Sequence, residues 1–304
     1  MKTISMTGGS GLIGRRLTDL LLEKGYQVSH LSRSPKAIHP KVKVYQWDLQ
    51  KHLIDRTAIT TADCVVHLAG ASLADKRWTT NRKRELKSSR VNTSDLLFKY
   101  LRECEHKVKV FVGSSAIGYY GNRGNELLHE TSKPTNEFMS TLCQDWETAS
   151  RRISSLRIRT VLLRTGIVLS TKGGALPKTD RPIRVGLGAY LGSGEQYYSW
   201  IHIDDMCAIL LKAIEDTTME GIYNAVAPNP VSNKTLVTTI AKAMNKTTIS
   251  LPTPTFLLRA ALGEMADIVL YSSKVSSEKI AQTGFVFKYP NLLSALQNLY
   301  KYKR

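Results

Sequence analysis

Residues Thr7 to Gly14 read Thr-Gly-Gly-Ser-Gly-Leu-Ile-Gly. Glycines at this spacing suit one task, the holding of a diphosphate. One allows a tight turn, one lets the backbone approach the phosphates, and one lets a helix pack on a strand. Gly9-x-Gly11-x-x-Gly14 fits the dinucleotide fingerprint, and Gly8-x-x-Gly11-x-x-Gly14 fits a variant of it. The cradle works only if a strand delivers the loop and a helix leaves it, so that free N–H groups of the first helical turn point at the phosphate. Thr3–Met6 reads as that strand and Leu12–Lys24 as that helix. Gly8, Gly11, Leu12, Ile13 and Gly14 are therefore the expected diphosphate contacts. A plain tight turn is the alternative, and the strand-to-helix context argues against it.

The next strand bears on which dinucleotide is held. An NAD site usually ends this strand with Asp or Glu, for the ribose 2′-hydroxyl. The segment 27–35, QVSHLSRSP, has no acid. Arg33 stands where a 2′-phosphate would lie, with Ser32, Ser34 and Lys36 beside it. A guanidinium binds phosphate bidentately, so the segment reads as an NADP site. The other reading is a solvated arginine in a basic protein. Asp48, after the third strand, is placed to meet the adenine edge. Leu68 closes the fourth strand, and Ala69 and Gly70 follow it, where Gly70 leaves room for the adenosine.

The elements that position these residues alternate along the chain. Strand-like runs lie at 27–32, 42–46, 63–68, 109–113 and 158–163, and helical patterns at 82–102 and 138–154. Strands alternating with helices predict an α/β fold, a Rossmann-type doubly wound parallel sheet. The pattern changes after about Ser170, where Gly-rich segments and then prolines appear. We read residues 1–170 as the NADP-binding domain, with returns from about 195–228, and residues 171–304 as mostly a smaller C-terminal substrate lobe. In that lobe Asp204 or Asp205 is expected to cap a helix at 206–215. Helices are expected at 233–244, 256–270 and 292–300, with a strand at 285–287.

Composition sets outer bounds. Of 304 residues, 42 % are hydrophobic, enough for a buried core. Lys plus Arg is 43 and Asp plus Glu is 25, so the net charge is 43 − 25 = +18. That excess favours acidic partners and says nothing about fold. No apolar run approaches the roughly 18–20 residues of a membrane span. The first residues turn straight into glycines, so no signal peptide is read and a cytoplasmic protein is expected. Cys64, Cys104, Cys143 and Cys207 lie far apart, without metal-ligand spacing. They read as free, mostly buried thiols.

Further segments carry a resemblance: His67–Gly70 (HLAG), Ser114–Gly121 (SSAIGYYG), Cys143–Glu147 (CQDWE), Arg164–Gly174 (RTGIVLSTKGG), Leu191–Gln196 (LGSGEQ) and Ser199–Asp205 (SWIHIDD). With LGE at 262–264 and GFVF at 284–287, they make nearly the whole chain resemble the extended short-chain dehydrogenase/reductase superfamily, the NAD-dependent epimerase/dehydratase fold. Within it the chain is similar to an atypical sugar-nucleotide epimerase-like subfamily with its own C-terminal domain. The resemblance implies NADP, a small substrate, nucleotide-linked or not, and substrate contacts from Gly192, Ser193, Gly194 and Gln196.

It also implies a catalytic Ser at Ser115, followed on the next helix by a Tyr-x-x-x-Lys pair. Counting back from Glu147 by the superfamily spacing puts Met139 and Cys143 at the Tyr and Lys. A methionine cannot move a proton. Tyr119 or Tyr120 is the candidate replacement; the alternative is that one packs and the other hydrogen-bonds structurally. Two classes of function stay open. One is an NADP-dependent oxidoreductase or epimerase; the other is an NADP-binding sensor that has lost its chemistry. Lys83, Lys87 and Arg90 form a basic stripe that reads as a solvated helix face, with polyanion binding as the minor reading. No specific nucleic-acid partner, membrane or metal site is expected. Trp78 and Trp146 either wall the pocket or fill core.

Overall fold

The computed structural model describes residues 2–34 and 36–301. Pro35, in the segment read for the 2′-phosphate, lies outside them. The strands are β1 Thr3–Thr7, β2 Gln27–Ser32, β3 Lys43–Asp48, β4 Leu53–Ile54, β5 Cys64–His67, β6 Val110–Ala116, β7 Leu127–Leu128, β8 Arg159–Thr165, β9 Ile167–Leu169, β10 Leu187–Leu191, β11 Tyr197–Tyr198, β12 Trp200–His202, β13 Gly221–Ala225, β14 Val231–Ser232, β15 Ile249–Thr253 and β16 Lys274–Val275. The helices are α1 Leu12–Glu23, α2 Thr57–Thr60, α3 Thr80–Glu103, α4 Phe138–Arg151, α5 Leu176–Arg184, α6 Ile203–Glu215, α7 Asn233–Ala243, α8 Thr255–Leu262, α9 Asp267–Leu270, α10 Glu278–Gln282 and α11 Leu292–Lys301.

Eight strands form the main sheet in the order β13-β8-β6-β5-β1-β2-β3-β4. All neighbours run parallel except β4, which is antiparallel to β3. The chain starts in the middle, builds outward to β3, then crosses back to β5. The loops after β1 and β5 thus part at a topological switch point, where ligands bind in open α/β sheets.

Both faces of the sheet are covered, which explains the near-continuous apolar strands. Val66, Val112, Val161 and Leu163 pack on one side with Leu17 and Leu21 of α1 and Met206 and Leu210 of α6. Val65, Phe111 and Leu162, one residue out of phase, pack on the other with Leu96, Leu97 and Leu101 of α3. The period of two along each strand delivers alternate residues to opposite layers.

Four sequence expectations change. β6 runs to Ala116, so Ser115 lies within the strand. The stretch expected as one helix at 256–270 is broken at Gly263, whose φ of +62° ends α8. Residues 285–287 form no strand; Phe285 and Phe287 stack edge to face at 4.9 Å. The next two backbone N–H groups, of Lys288 and Tyr289, donate to the Asp205 carboxylate at 2.9 Å each, not to a neighbouring strand. Asp205 is therefore not the cap of α6, and neither is Asp204. The helix starts earlier, at Ile203, and His202 caps it by accepting the Asp204 N–H on Nδ1 at 3.1 Å.

Candidate active site

The fingerprint loop is tightly packed. Gly8 has φ +70°, and a Cβ there would lie 2.6 Å from the Leu68 carbonyl carbon. A Cβ on Gly14 would lie 2.3 Å from the Gly8 oxygen. Gly9 lies on the imidazole of His30, whose Nε2 is 2.9 Å from the Thr18 hydroxyl. Burial pushes the His30 pKa down to about 4. The ring is thus a neutral spacer between loop and sheet. Among the described residues no side chain caps α1, and no acidic residue stands in its first turn. The N–H groups of Leu12, Ile13 and Gly14 are thereby left to an anion. These residues fit the diphosphate of a dinucleotide.

The end of β5 is fixed by a second buried histidine. His67 Nδ1 lies 2.7 Å from the Thr7 hydroxyl, and Nε2 lies 3.1 Å from that of Thr93. Burial, then the charge of Arg90, lowers its pKa to about 3. The Ala69 N–H donates to Thr7 at 3.2 Å, which sets the course of Leu68 to Gly70. A Cβ on Gly70 would meet the Arg90 guanidinium at 3.2 Å, so this glycine admits an arginine. Arg33 is exposed at the end of β2, beside Ser32. Its charge helps Arg82 and Lys76 hold the Glu85 carboxyl below its usual range. Asp48 Oδ1 accepts the N–H groups of Gln50 and Lys51, so that oxygen shapes a turn.

Ser115 is buried and donates its hydroxyl proton to Glu147 at 2.7 Å. Glu147, on α4, is gripped by Arg164 of β8 through two bonds of 2.8 and 2.9 Å. Arg164 also donates to the Tyr120 hydroxyl at 2.9 Å, and Tyr120 donates to Asn224 at 2.7 Å. Tyr120 is fully buried, and burial raises its pKa to about 12. Its hydroxyl is taken up on both sides by protein groups. Tyr119 is only half-buried, and its ring face lies 3.4 Å from the Arg164 guanidinium carbon. The two rings meet edge to face at 5.4 Å.

Met139 and Cys143 border this constellation: a Cβ on Gly118 would lie 3.1 Å from the Met139 methyl and 3.9 Å from the Cys143 sulfur. Burial pushes the Cys143 thiol up to about 12, so it is not a nucleophile at neutral pH. The sequence pattern marks neither Glu147 nor Arg164 as a functional residue. A visible signal was a formal charge at the end of an otherwise apolar strand, VLLRT at 161–165.

The other expected residues sort as follows. The Gly192–Gln196 segment is a structured turn: Gly192 (φ +58°) donates to Thr253, and Gln196 donates its amide to Leu191 and Val269 carbonyls. Gly194 has φ +77°, and the Ser193 hydroxyl accepts from the Glu195 N–H. Both tryptophans are buried as core. Trp78 donates to the Leu73 carbonyl, and Trp146 stacks on Arg90 at 5.2 Å. The basic stripe of α3 is a solvated face only in part, at exposed Lys87. Arg90 is buried against Ala71 and Leu86 carbonyls, Lys83 pairs with Glu264, and Lys87 pairs with Asp145. Cys64, Cys143 and Cys207 are buried free thiols, and Cys104 is half-buried.

Residues 4–225 match the NAD dependent epimerase/dehydratase family, and residues 253–299 match a domain of unknown function, DUF1731. An epimerase family protein of Staphylococcus epidermidis is 35 % identical over 303 residues, 99 % of this chain and 100 % of that protein. The crystal structure of a human epimerase family protein (isoform 2) with NADPH is 30 % identical, with a TM-score of 0.88 over 98 % of this chain and 99 % of that one. A nucleoside-diphosphate sugar epimerase from Corynebacterium glutamicum is also 30 % identical, with a TM-score of 0.80; the match covers 99 % of this chain and 58 % of that one. With its fingerprint loop, its doubly wound sheet and its full-length relatives, this chain belongs to the NAD dependent epimerase/dehydratase family.

Proposed function

We propose that the chain binds NADP(H) on the fingerprint loop and acts as an oxidoreductase or epimerase on a small, nucleotide-linked molecule. When bound, the cofactor would supply or accept a hydride. Gly8 to Gly14 would hold its diphosphate, and Arg33 with Ser32 its 2′-phosphate. The human relative crystallised with NADPH supports the choice of NADP, and the Corynebacterium relative supports a nucleoside-diphosphate sugar.

The observation that carries the reading is the direction of the Ser115 hydroxyl. Its proton is committed to Glu147, so Ser115 Oγ faces a substrate as an acceptor only. It would orient the carbinol oxygen by accepting its proton in a hydrogen bond. Tyr119 is the hydroxyl left to exchange that proton, because Tyr120 is engaged with Arg164 and Asn224. Arg164 places a fixed positive charge on the Tyr119 ring. A second reading, binding without turnover, is favoured by Met139 and Cys143 at the positions of the usual acid pair.

The test is a screen of nucleotide sugars and small carbonyls, followed by NADPH absorbance for net reduction and by product chromatography for epimerisation. Tyr119→Phe should lower turnover by about 10²–10⁴-fold, the usual range for acid–base help, and Ser115→Ala should lower it through lost orientation of the carbinol oxygen. Turnover untouched by Tyr119→Phe would remove Tyr119 from the mechanism. Tight NADPH binding with no turnover across the screen would favour the sensor.

A further inference from the structure

Among the described residues three arginines are buried: Arg82, Arg90 and Arg164. Two of them have a carboxylate. Arg82 pairs with Glu85, and Arg164 with Glu147. Arg90 has no such pair among the described residues. Its guanidinium is met by neutral oxygens: Nη1 donates to the Leu86 carbonyl at 3.1 Å and to the Ser89 hydroxyl at 3.4 Å, and Nη2 donates to the Ala71 carbonyl at 3.0 Å. The Trp146 ring covers it at 5.2 Å. Burial pushes its pKa down to about 10, so the group stays a cation at neutral pH. A buried charge without a counter-charge is costly. Tying Ala71 to α3 needs a donor and not a charge, so the charge itself calls for a use.

The position of Arg90 supplies one. Gly70 lies on the guanidinium, where a Cβ would come 3.2 Å from Cζ. Gly70 and Ala71 leave the end of β5, which flanks β1 on the side opposite β2. Trp146 and Cys143 face Arg90 from α4, and the Arg90 charge opposes the upward push of burial on the Cys143 thiol. Cys143 and Met139 in turn border Gly118, beside Tyr119. A dinucleotide with its diphosphate on Gly8–Gly14 and its 2′-phosphate at Arg33 would lay its adenosine on the β2 side. Its nicotinamide half would then run the other way, past the ends of β5 and β6 toward Ser115 and Tyr119. Arg164, the other buried cation on that side, is neutralised by Glu147. The unbalanced buried charge there is that of Arg90.

We propose that Arg90 selects the redox form of the cofactor, its uncompensated charge making the site hold NADPH in preference to NADP⁺. The inference rests on the cofactor reading above and adds a direction to the reaction. The oxidised nicotinamide ring is positive and the reduced ring is neutral, so a fixed cation repels only the former. Unit charges about 12 Å apart at an effective dielectric of about 20 give roughly 1.4 kcal/mol, a preference of about tenfold. An epimerase that opens each turnover by oxidising its substrate must hold the oxidised form at rest. A site that holds the reduced form opens instead by reducing a carbonyl: the carbon takes a hydride from NADPH, the oxygen takes a proton from Tyr119, and a carbinol and NADP⁺ result. Tyr119 regains its proton from solvent. Of the two activities proposed, the charge favours the reductase.

The experiment is calorimetric titration of the full chain with NADPH and with NADP⁺ at one pH and salt concentration. The unmutated chain should bind NADPH about tenfold more tightly. Arg90→Gln and Arg90→Met, both neutral, should bring the ratio of the two affinities close to one, and Arg90→Lys should keep most of it. A merely structural arginine would change both affinities in step and leave the ratio alone. Arg33→Ala should weaken both cofactors and also leave the ratio alone. Equal affinities in the unmutated chain would overturn the inference, as would an unchanged ratio in a folded neutral variant or a lost ratio in Arg90→Lys. If the neutral variants lose their fold by circular dichroism, the ratio in the unmutated chain decides. If neither cofactor binds, the cofactor reading falls and takes this one with it; if both bind equally and Arg33→Ala weakens both, this inference alone falls.

Discussion

The Glu147–Arg164 pair gives the clearest quantitative test of how the candidate site is held. Glu147 has a side-chain exposure of 0 % and Arg164 of 2 %, and two hydrogen bonds join them. Replacing one partner of such a pair leaves the other charge stranded in the core, which costs about 3–5 kcal/mol. Glu147→Gln removes the charge and keeps the shape. It should therefore lower unfolding free energy by about that amount, and it also removes the charged acceptor of the Ser115 proton. The same carboxylate provides its own control. Arg151 lies 3.8 Å from Glu147 Oε2 but is 57 % exposed, so Arg151→Ala should cost no more than about 1 kcal/mol. A third variant, Glu147→Gln/Arg164→Met, removes both charges and should recover part of the loss. The assay is urea unfolding followed by circular dichroism, with the m-value checked for constancy. A loss below about 1 kcal/mol for Glu147→Gln would refute the claim that this pair holds the site.

Other perturbations test separate parts of the structure. Arg33→Ala should cut NADPH affinity by roughly tenfold to over a hundredfold while sparing NADH, the worth of one charged phosphate contact, and equal titrations of both cofactors in the unmutated chain would contradict the 2′-phosphate assignment. Gly14→Ala would set a Cβ 2.3 Å from one backbone atom and 2.7 Å from another, so overpacking should cost about 1–3 kcal/mol, and NADPH binding should fall with it; an ordinary melting curve would show that the loop is less tightly packed than described. Burial holds His30 at about 4 and His67 at about 3, below the ordinary imidazole value of 6.5. The unfolded chain therefore takes up protons first, so stability is fully present above about pH 6.5 and is lost as pH falls toward 4, by roughly 1.4 kcal/mol per pH unit for each ring. His67→Gln should reduce that slope by one ring's share in urea melts across this window, and an unchanged slope would rule His67 out as a source.

The parts of the fold that were legible are those written in short-range pattern. Glycine spacing and the apolar stripe of α1, Leu17 and Leu21 with Gly14 and Thr18, could be read because they lie within one loop and three helical turns. The apolar strands announced a sheet buried on both faces, and Gln27–Ser32 was bounded correctly. Caps and breaks were harder. Asp204 and Asp205 have the composition of a cap, but the helix begins one residue before them, and Asp205 serves the Lys288 and Tyr289 amides more than eighty residues away. No local pattern encodes such a partner.

The same separation between local pattern and long-range pairing governs the candidate site. Ser115, Glu147 and Arg164 come from β6, α4 and β8, and only the parallel order of the sheet sets them side by side. Taken singly, each has an ordinary reading: a strand-end hydroxyl, a helical carboxylate, a charge closing an apolar run. Tyr119 and Tyr120 show why adjacent residues of one type can have different fates. They share a short 3₁₀ turn, where successive side chains point about 120° apart. One must then face the core while the other keeps partial access to solvent. Tyr120 took the core, where Arg164 and Asn224 satisfy its hydroxyl; Tyr119 kept the accessible side and the Arg164 face. The buried cation that fixes one tyrosine as structure thus lies against the ring of the one proposed to move a proton.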